Sequence, residues 1–513
     1  VDEKVPTQHT HWIETLANNI TSSKTGPYVV SAGITTSGPC HLGTLCEFLF
    51  PAAIHKQLVL AGHKAKFYFI ADILDAFDSI PLIFSEYENT LKPHLGKPLC
   101  YVPDPEGCHP SFGDHFLAEI KNVMVKFQIR PEILKASELY ASGSFDKLAA
   151  FFLENQKRTS VVVAESSLRE SMPPDWSAIM PICEKCGRIA TTITTSYDKN
   201  TQIYTYSDSR DVGYTKGCGW SGSNKLSDHK YKLTWRLHWP SWMEVLGTSI
   251  EGAGMDHHTK GGSWDTLAAV YKNLFNKQPP IGFKFGFILF QGKKYSKSKG
   301  IGMGLSELLE ILPPELIAFS LLRPDLQENI DINPTTQNLL KLISDYTKAM
   351  ADSSKDLSSL ERAPRKAALA AKISSPNGIR WRTQFTDILL YFELYRNWGV
   401  VANMLDDSAG VAYLKPYVLA WVERKLAPPE YVFELSFSKL SSTTSKSFVQ
   451  SLKPGASPEE IHNFVFECAK LHHIQPADLF KELYTHIIGK QSGPKLGKLI
   501  HAIGVETIKR ELL

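Results

Sequence analysis

No run of roughly 18 consecutive apolar residues occurs in this chain, so no membrane-spanning helix is expected. The first residues, with Asp2, Glu3 and Lys4, hold no apolar core, and no signal segment is expected there. Eight cysteines in 513 residues do not suggest a disulfide scaffold, which makes a reducing, cytoplasmic setting the expectation. Excess charge is also lacking. Lysine and arginine number 56 against 53 aspartates and glutamates, a formal net charge of +3. A nucleic-acid partner would therefore need a local basic face, because the whole surface is not basic. No repeat of about 34 residues recurs, which favours a helical bundle over a solenoid. What remains is a globular composition, 43% hydrophobic and 21% charged, in a chain long enough for several domains.

The chain is organised around Thr35-Thr36-Ser37-Gly38-Pro39-Cys40-His41-Leu42-Gly43-Thr44. Tyr28-Val29-Val30-Ser31-Ala32 precedes it and reads as a buried strand. The apolar run from Leu45 to Leu60 follows it and reads as a helix. A strand-to-helix junction of Gly, Pro and hydroxyl residues presents free backbone N–H groups at a positive dipole end, which suits phosphate. Gly38 and Gly43 let backbone approach a ligand closely. His41 would stand at the helix start, where it can donate to a phosphate oxygen. The plainer reading is a strand–turn–helix with a hydroxyl cap. Far downstream, Gly292-Lys293-Lys294-Tyr295-Ser296-Lys297-Ser298-Lys299-Gly300 follows the strand-like run Phe283 to Phe290. It reads as a solvated basic loop or as a clamp for a triphosphate. Positive charge held where negative charge develops is usually the largest catalytic contribution.

Lys66-Phe67-Tyr68-Phe69-Ile70-Ala71-Asp72 reads as a second buried strand ending in an acid. Ligands of open α/β sheets sit at the carboxyl ends of strands, so Asp72 and nearby Asp75 are site candidates, with helix capping as their alternative. From about 97 to 230 the pattern loosens, with helices near 112–128 and 144–158. This stretch reads as an insertion. Cys183-Glu184-Lys185-Cys186, with Cys218 later, is the half-site of a zinc ribbon. Thr215 stands where a second pair would start. His229 or Asp228 could supply a fourth ligand; otherwise the ribbon is vestigial. Lys232 to Trp239 reads as an aromatic strand. Glycines 252, 254, 261 and 262 bracket Asp256-His257-His258 at another strand-to-helix junction. Beyond 300 the apolar spacing is helical.

His41-Leu42-Gly43-Thr44 resembles the HIGH motif of class I aminoacyl-tRNA synthetases. Lys294-Tyr295-Ser296-Lys297-Ser298 resembles their KMSKS motif, with Tyr295 in place of Met. Ser31 to Gly38, Gly254 to Ser263, and Gly493-Pro494-Lys495-Leu496-Gly497 together resemble class I lysyl-tRNA synthetases over essentially the whole chain. The resemblance implies an α/β fold, a Rossmann-type nucleotide-binding domain with an inserted connective subdomain and C-terminal α-helical domains. Its parts would be residues 1–96 and 231–304 for the two Rossmann halves, 97–230 for the insertion, 305–365 for a helical stem-contact region and 366–513 for an anticodon-binding bundle.

The resemblance also implies the chemistry. ATP, arriving with Mg²⁺, and L-lysine would form lysyl-adenylate, and the lysyl group would pass to tRNA(Lys). His41, Gly43, Thr44, Lys294, Ser296, Lys297 and Ser298 would be catalytic. Thr36, Ser37 and Gly38 would join His41, Gly43 and Lys297 around ATP. Gly33, Thr35, Trp235, His257 and Phe285 would form the lysine pocket, although Trp235 could equally be core and the family usually has Tyr where Phe285 stands. Asp72, Asp75 and Asp256 are the possible site acids. Zn²⁺ would sit on Cys183, Cys186 and Cys218, and Lys490, Lys495 and Lys498 would meet tRNA phosphate. Two other readings compete: a class I synthetase for another amino acid such as glutamate, and a tRNA-binding paralogue that no longer aminoacylates. The signature around Asp256 and His257 argues against the first, and the intact His41, Gly43, Lys294 and Lys297 against the second.

Overall fold

The computed structural model describes residues 10–294, 304–375 and 377–513. The chain divides into two compact units. One runs as far as Leu305 and adds Ile317–Ile332 and Ala351–Pro376; the other holds Ser306–Leu316, Asn333–Met350 and Asn377–Leu513. The stretch 305–365, expected to form one region, is shared between them. Among the described residues no helix is long and apolar enough to cross a membrane.

In the first unit, helix α1 (Trp12–Ser23) is closed at its start by a capping box between His11 and Glu14. Trp12 Nε1 donates to the Leu322 carbonyl at 3.1 Å, and Arg365 grips Glu14 with two bonds of 2.8 and 2.9 Å. These contacts tie the two later segments to the first unit. Strand β1 (Tyr28–Ile34) leads to α2 (Leu42–Leu60), then to β2 (Ala65–Ala71) and, after the helix Phe112–Lys126, to β3 (Glu132–Lys135). The first half of the main sheet thus runs to Lys135 and not to residue 96, because the stretch expected to open the insertion supplies the crossover helix and the edge strand; the insertion follows. Its β4 (Ile179–Pro181) will pair with a later strand, and β5 (Thr192–Asp198), β6 (Ile203–Asp208) and β7 (Ser221–Lys225) form an antiparallel sheet. Strand β8 (Tyr231–Leu233) returns antiparallel to β4. Strands β9 (Ile250–Gly254) and β10 (Ile281–Phe285) complete the main sheet, in the order β10-β9-β1-β2-β3 with every pair parallel. A smaller sheet holds β11 (Ile288–Phe290), β12 (Lys293–Lys294) and β13 (Ile330–Ile332).

Strand order therefore reverses between β1 and β9. That is the topological switch point of a doubly wound sheet, where a crevice opens at the carboxyl ends of the strands. The strands on either side are apolar because helices cover both faces. Val30, Ala32, Phe69 and Ile70 are buried, and Phe48 of α2 meets Phe69 edge-on at 6.0 Å.

Local structure departs from the sequence expectation in two places. The aromatic run 232–239 is not one strand: β8 stops at Leu233 and a helix, Trp235–Leu246, begins. Its tryptophans and leucines are buried on several sides, so alternation and helical spacing could not be told apart. The helix expected at 144–158 is two, Asp146–Glu154 and Gln156–Ser166, broken at Asn155.

The second unit is helical. Trp421 Nε1 donates to the Ile311 carbonyl at 2.8 Å, and Tyr413 bonds both oxygens of buried Glu315 at 3.0 Å. The Gly493–Gly497 motif has a packing reason here. A Cβ on Gly497 would lie 1.9 Å from the Pro458 carbonyl oxygen, so only glycine lets the helices Leu496–Ile503 and Pro458–Leu471 approach so closely.

Candidate active site

A cavity of about 810 Å³ opens where the switch point requires it, beyond the ends of β1, β9 and β10. Thr35, Ser37, Gly38, His41, Gly43, Thr44, Asp256 and Phe285 line it, together with Glu47, Ser79 and Met255. The sequence therefore located the wall made by the β1–α2 junction. His41 is the N-cap of α2, and its Nδ1 accepts the Thr44 N–H at 3.1 Å. A neutral imidazole that accepts at Nδ1 carries its proton on Nε2, the form that can donate to a phosphate oxygen. Gly43 is needed beneath it, since a Cβ there would come within 3.0 Å of the ring.

Glu47 was not singled out from the sequence. It stands one turn beyond Thr44 on α2, and a Cβ on Gly254 would lie 3.8 Å from its Oε1. Burial raises its carboxyl to about 8, the charge of Glu251 adding to the shift while a bond to the Gly254 backbone opposes it. Glu251 is buried on β9 opposite Ser31 of β1. It accepts from Ser31 Oγ, from Trp239 Nε1 at 2.7 Å and from Trp242 Nε1 at 3.1 Å. Burial still lifts it to about 7 against those three donors. Glu47 thus lines the cavity, while Glu251 lies outside its lining with both oxygens bonded, and acts on Glu47 through its charge.

Other candidates stand elsewhere. A Cβ on Gly33 would meet the Trp242 ring at 3.0 Å, so this glycine serves packing behind the wall. Thr36 is buried and donates to the Gly113 carbonyl at 2.9 Å. Trp235 and His257 do not line the cavity. Trp235 stacks on Trp239 with centroids 5.5 Å apart and donates Nε1 to Ser263 Oγ at 3.2 Å. His257 meets Trp239 edge-on at 5.4 Å, and burial lowers its pKa although Asp256 opposes that shift. Phe285 is buried against the edge of Phe50 at 5.0 Å. Asp72 and Asp75 are joined by Lys232 at 2.7 and 3.0 Å, and Thr35 Oγ1 donates to Asp75 at 3.1 Å. Lys294 contributes its backbone to β12. Its side chain, with Tyr295, Ser296, Lys297 and Ser298, lies outside the described residues.

Two clusters have metal-ligand chemistry, one in the insertion and one ahead of β3. Cys183, Cys186 and Cys218 converge, and the fourth member is Asp208. It is neither His229, which bonds Asp146 at 3.0 Å, nor Asp228, which takes the Lys225 N–H at 2.8 Å. The Cys183 and Cys218 sulfurs are 3.7 Å apart and Cys186 Sγ is 3.0 Å from Asp208. Tetrahedral zinc with bonds of about 2.3 Å would separate two sulfurs by about 3.8 Å, so the donor set fits that ion. Gly187 has φ +76°, the left-handed turn that folds the Cys-x-x-Cys loop back. The second cluster is Asp104, Cys108, His109 and His115. Asp104 is buried and accepts three backbone N–H groups, and Cys108 Sγ lies 3.0 Å from His109 Nδ1 and 3.4 Å from His115 Nδ1. The sequence reading missed this cluster, although Cys108-His109 with His115 six residues on is a signal that could have found it.

Within the second unit, Lys498 pairs with Asp387 and Gln384, and Lys490 Nζ donates to the Val432 carbonyl at 2.6 Å. Lys495 is exposed at the start of the helix Leu496–Ile503.

The chain is similar to known proteins over most of its length. The family model described as tRNA synthetases class I (K) matches residues 10–375. The lysine–tRNA ligase of Archaeoglobus fulgidus is 30% identical, with 98% of this chain and 99% of that protein covered. That of Picrophilus torridus is 28% identical, with 97% of each covered. Among solved structures, a glutamate tRNA ligase from Elizabethkingia meningosepticum aligns over 95% of this chain and 98% of its own, with 13% identity and a TM-score of 0.41.

Proposed function

This chain belongs to the class I (K) tRNA synthetases, and from that membership we infer that it attaches L-lysine to tRNA(Lys) at the expense of ATP, through lysyl-adenylate. The observation that supports the amino-acid choice is the Glu47 carboxyl on the wall of the His41 cavity, with the Glu251 carboxyl buried close enough behind it to act on it by charge. A cationic side chain is drawn to such a pair. A glutamate side chain would add a third carboxylate, which disfavours that reading.

The first step needs no covalent protein nucleophile. The lysine carboxylate attacks the α-phosphate, and catalysis is positioning plus charge stabilisation. Ser37, Gly38, Gly43, Thr44 and the Nε2–H of His41 receive the phosphates at the start of α2. Lys294, Ser296, Lys297 and Ser298 follow the leaving pyrophosphate, and Mg²⁺ arrives with ATP. Thr35, Glu47 and Phe285 form the amino-acid wall, with Asp256 at its edge; Gly33, Trp235 and His257 support it from behind. The second unit meets tRNA, with Lys495 its exposed cation near the Gly493–Gly497 turn. Zinc on Cys183, Cys186, Asp208 and Cys218 would crosslink the insertion, and a second metal on Asp104, Cys108, His109 and His115 would crosslink the segment ahead of β3. The setting is cytoplasmic.

The test is amino-acid-dependent exchange of pyrophosphate into ATP, with and without tRNA. Lysine alone should support exchange. Exchange driven by glutamate overturns the specificity, and binding of tRNA with no exchange under either condition favours the paralogue without aminoacylation.

A further inference from the structure

We propose that Lys232 is a positioning residue for the amino-acid pocket, acting through Asp75 to fix the direction of the Thr35 hydroxyl. Lys232 belongs to β8, the strand that closes the insertion, yet its ammonium is buried against the acids just past the end of β2. It is 1% exposed and reaches Asp72 Oδ2 at 2.7 Å and Asp75 Oδ1 at 3.0 Å. One buried cation thus joins the end of β2 to the insertion. Asp75 then uses its other oxygen, Oδ2, to accept from Thr35 Oγ1 at 3.1 Å. Thr35 is the first residue past β1 and lines the cavity.

The chemistry of that relay is directional. A hydroxyl has one proton to give. An ionised Asp75 can only accept, so the Thr35 proton points to it and the Thr35 lone pairs are left for the cavity. Thr35 then presents an acceptor, which suits a substrate ammonium. The ionised state is secured by Lys232: burial alone would raise Asp75, but Lys232 and the Thr35 bond hold it below the ordinary carboxylate range. Asp72 takes the opposite course. Burial and the charge of Asp75 lift it to about 6 although Lys232 opposes this. His238, 3.6 Å from Asp72, is kept neutral by burial and by Lys232, and its Nδ1 is occupied by the Tyr140 hydroxyl at 2.9 Å. Lys232 is therefore the cation that neutralises this cluster among the described groups touching it. Its carbonyl side leads within three residues to Trp235, so the same strand anchors the aromatic layer behind Glu251.

This inference rests on the lysine-activating reading, but the ammonium that Thr35 would meet includes the α-ammonium common to all amino acids. The experiment is a double-mutant cycle of Thr35→Val and Asp75→Asn, with Lys232→Met and Lys232→Arg beside it. Pyrophosphate exchange gives the Michaelis constants for lysine and for ATP, and thermal melting gives stability. Each of Thr35→Val and Asp75→Asn should raise the lysine constant about tenfold or more, the loss expected for one hydrogen bond to a charged group. The ATP constant should hold. The double variant should be no worse than the worse single one, because both break the same relay. Lys232→Met should copy Asp75→Asn, with a raised lysine constant and an unchanged ATP constant. Effects that multiply in the double variant, or that raise both Michaelis constants with a fall in melting temperature, overturn the proposal. Should Lys232→Met not fold, Lys232→Arg decides for Lys232: a raised lysine constant with the ATP constant held supports the relay, and unchanged lysine kinetics overturn it. A parent enzyme that exchanges with another amino acid and not lysine defeats the functional reading alone, and the cycle is then read on that amino acid.

Discussion

Glu47 shows how little of a site one residue's sequence context can reveal. It lies in an apolar helical run with no motif of its own, and its meaning comes from Gly254 and Glu251, more than 200 positions away. The linkage it sets up has a definite sign. With its pKa raised to about 8, Glu47 is protonated in the empty site at neutral pH. The substrate ε-ammonium, at about 10.4, stays charged across the same range. Binding the cation ionises Glu47 and releases a proton, so affinity for lysine should rise with pH up to about 8 and then level off. Steady-state kinetics between about pH 6.5 and 8.5 should show a falling Michaelis constant for lysine. Glu47→Gln should raise that constant and flatten its pH profile. A profile unchanged by the substitution removes Glu47 from the pocket. His41 makes a second prediction at this scale. His41→Ala should slow adenylate formation by about 10²–10³-fold, as for loss of one preorganised donor, and should also weaken α2 by about 1 kcal/mol through the lost cap. His41→Asn should recover stability more than rate.

Elements were legible where the signal was local. The β1–His41–α2 junction announces itself through a cap, glycines and an apolar run, and those features occur within a few residues of one another. Asp208 did not announce itself. It reaches the cysteines only because the chain turns back on β6: Asp208 N donates to the Trp220 carbonyl at 2.7 Å and Gly219 N to the Asp208 carbonyl at 2.8 Å. Strand pairing of that kind is not written in the spacing of cysteines. The same holds for Gly252 of β9, grouped by sequence with a strand-to-helix junction, and for Gly282 of β10, to which sequence reading assigned no role. A Cβ on Gly252 would fall 2.2 Å from the Phe283 ring and one on Gly282 would fall 2.0 Å from Trp264. Neighbouring rings fill the space. Gly282→Ala should therefore cost about 1–3 kcal/mol by overpacking. Chemical denaturation of the variant checks this; unaltered stability would mean that Trp264 moves aside freely.

At the scale of the whole molecule, the ribbon lies far along the sequence from the amino-acid pocket but only a few hydrogen bonds away. Ile189 and Ala190 donate to the Gly96 carbonyl at 2.8 and 3.1 Å, and Arg188 Nε donates to the Leu95 carbonyl at 3.0 Å. Gly96 and Lys97 in turn bond the backbone of Phe77, and Leu99 N donates to the Asp75 carbonyl at 2.9 Å. The ribbon thus braces the loop that carries Asp75, the partner of Thr35. Its sheet is largely exposed on β5 and β7 but buries Tyr204 and Tyr206 of β6, so a metal would fasten the cysteine loops onto a sheet already anchored by packing. Purified without chelator, the protein should hold about two metal ions per chain, one for each four-ligand cluster. Cys183→Ser or Asp208→Asn should release one of them and leave the Asp104 cluster loaded. Hydrogen exchange should then quicken across residues 180–222 and around 95–99, while Asn377–Leu513 exchanges as before. The lysine Michaelis constant should rise more than that for ATP, because the brace ends at Asp75 and not at His41. Two outcomes would count against this chain of contacts. Protein without stoichiometric metal would leave a ribbon held by packing alone, and metal loss with unchanged lysine kinetics would uncouple the ribbon from the pocket.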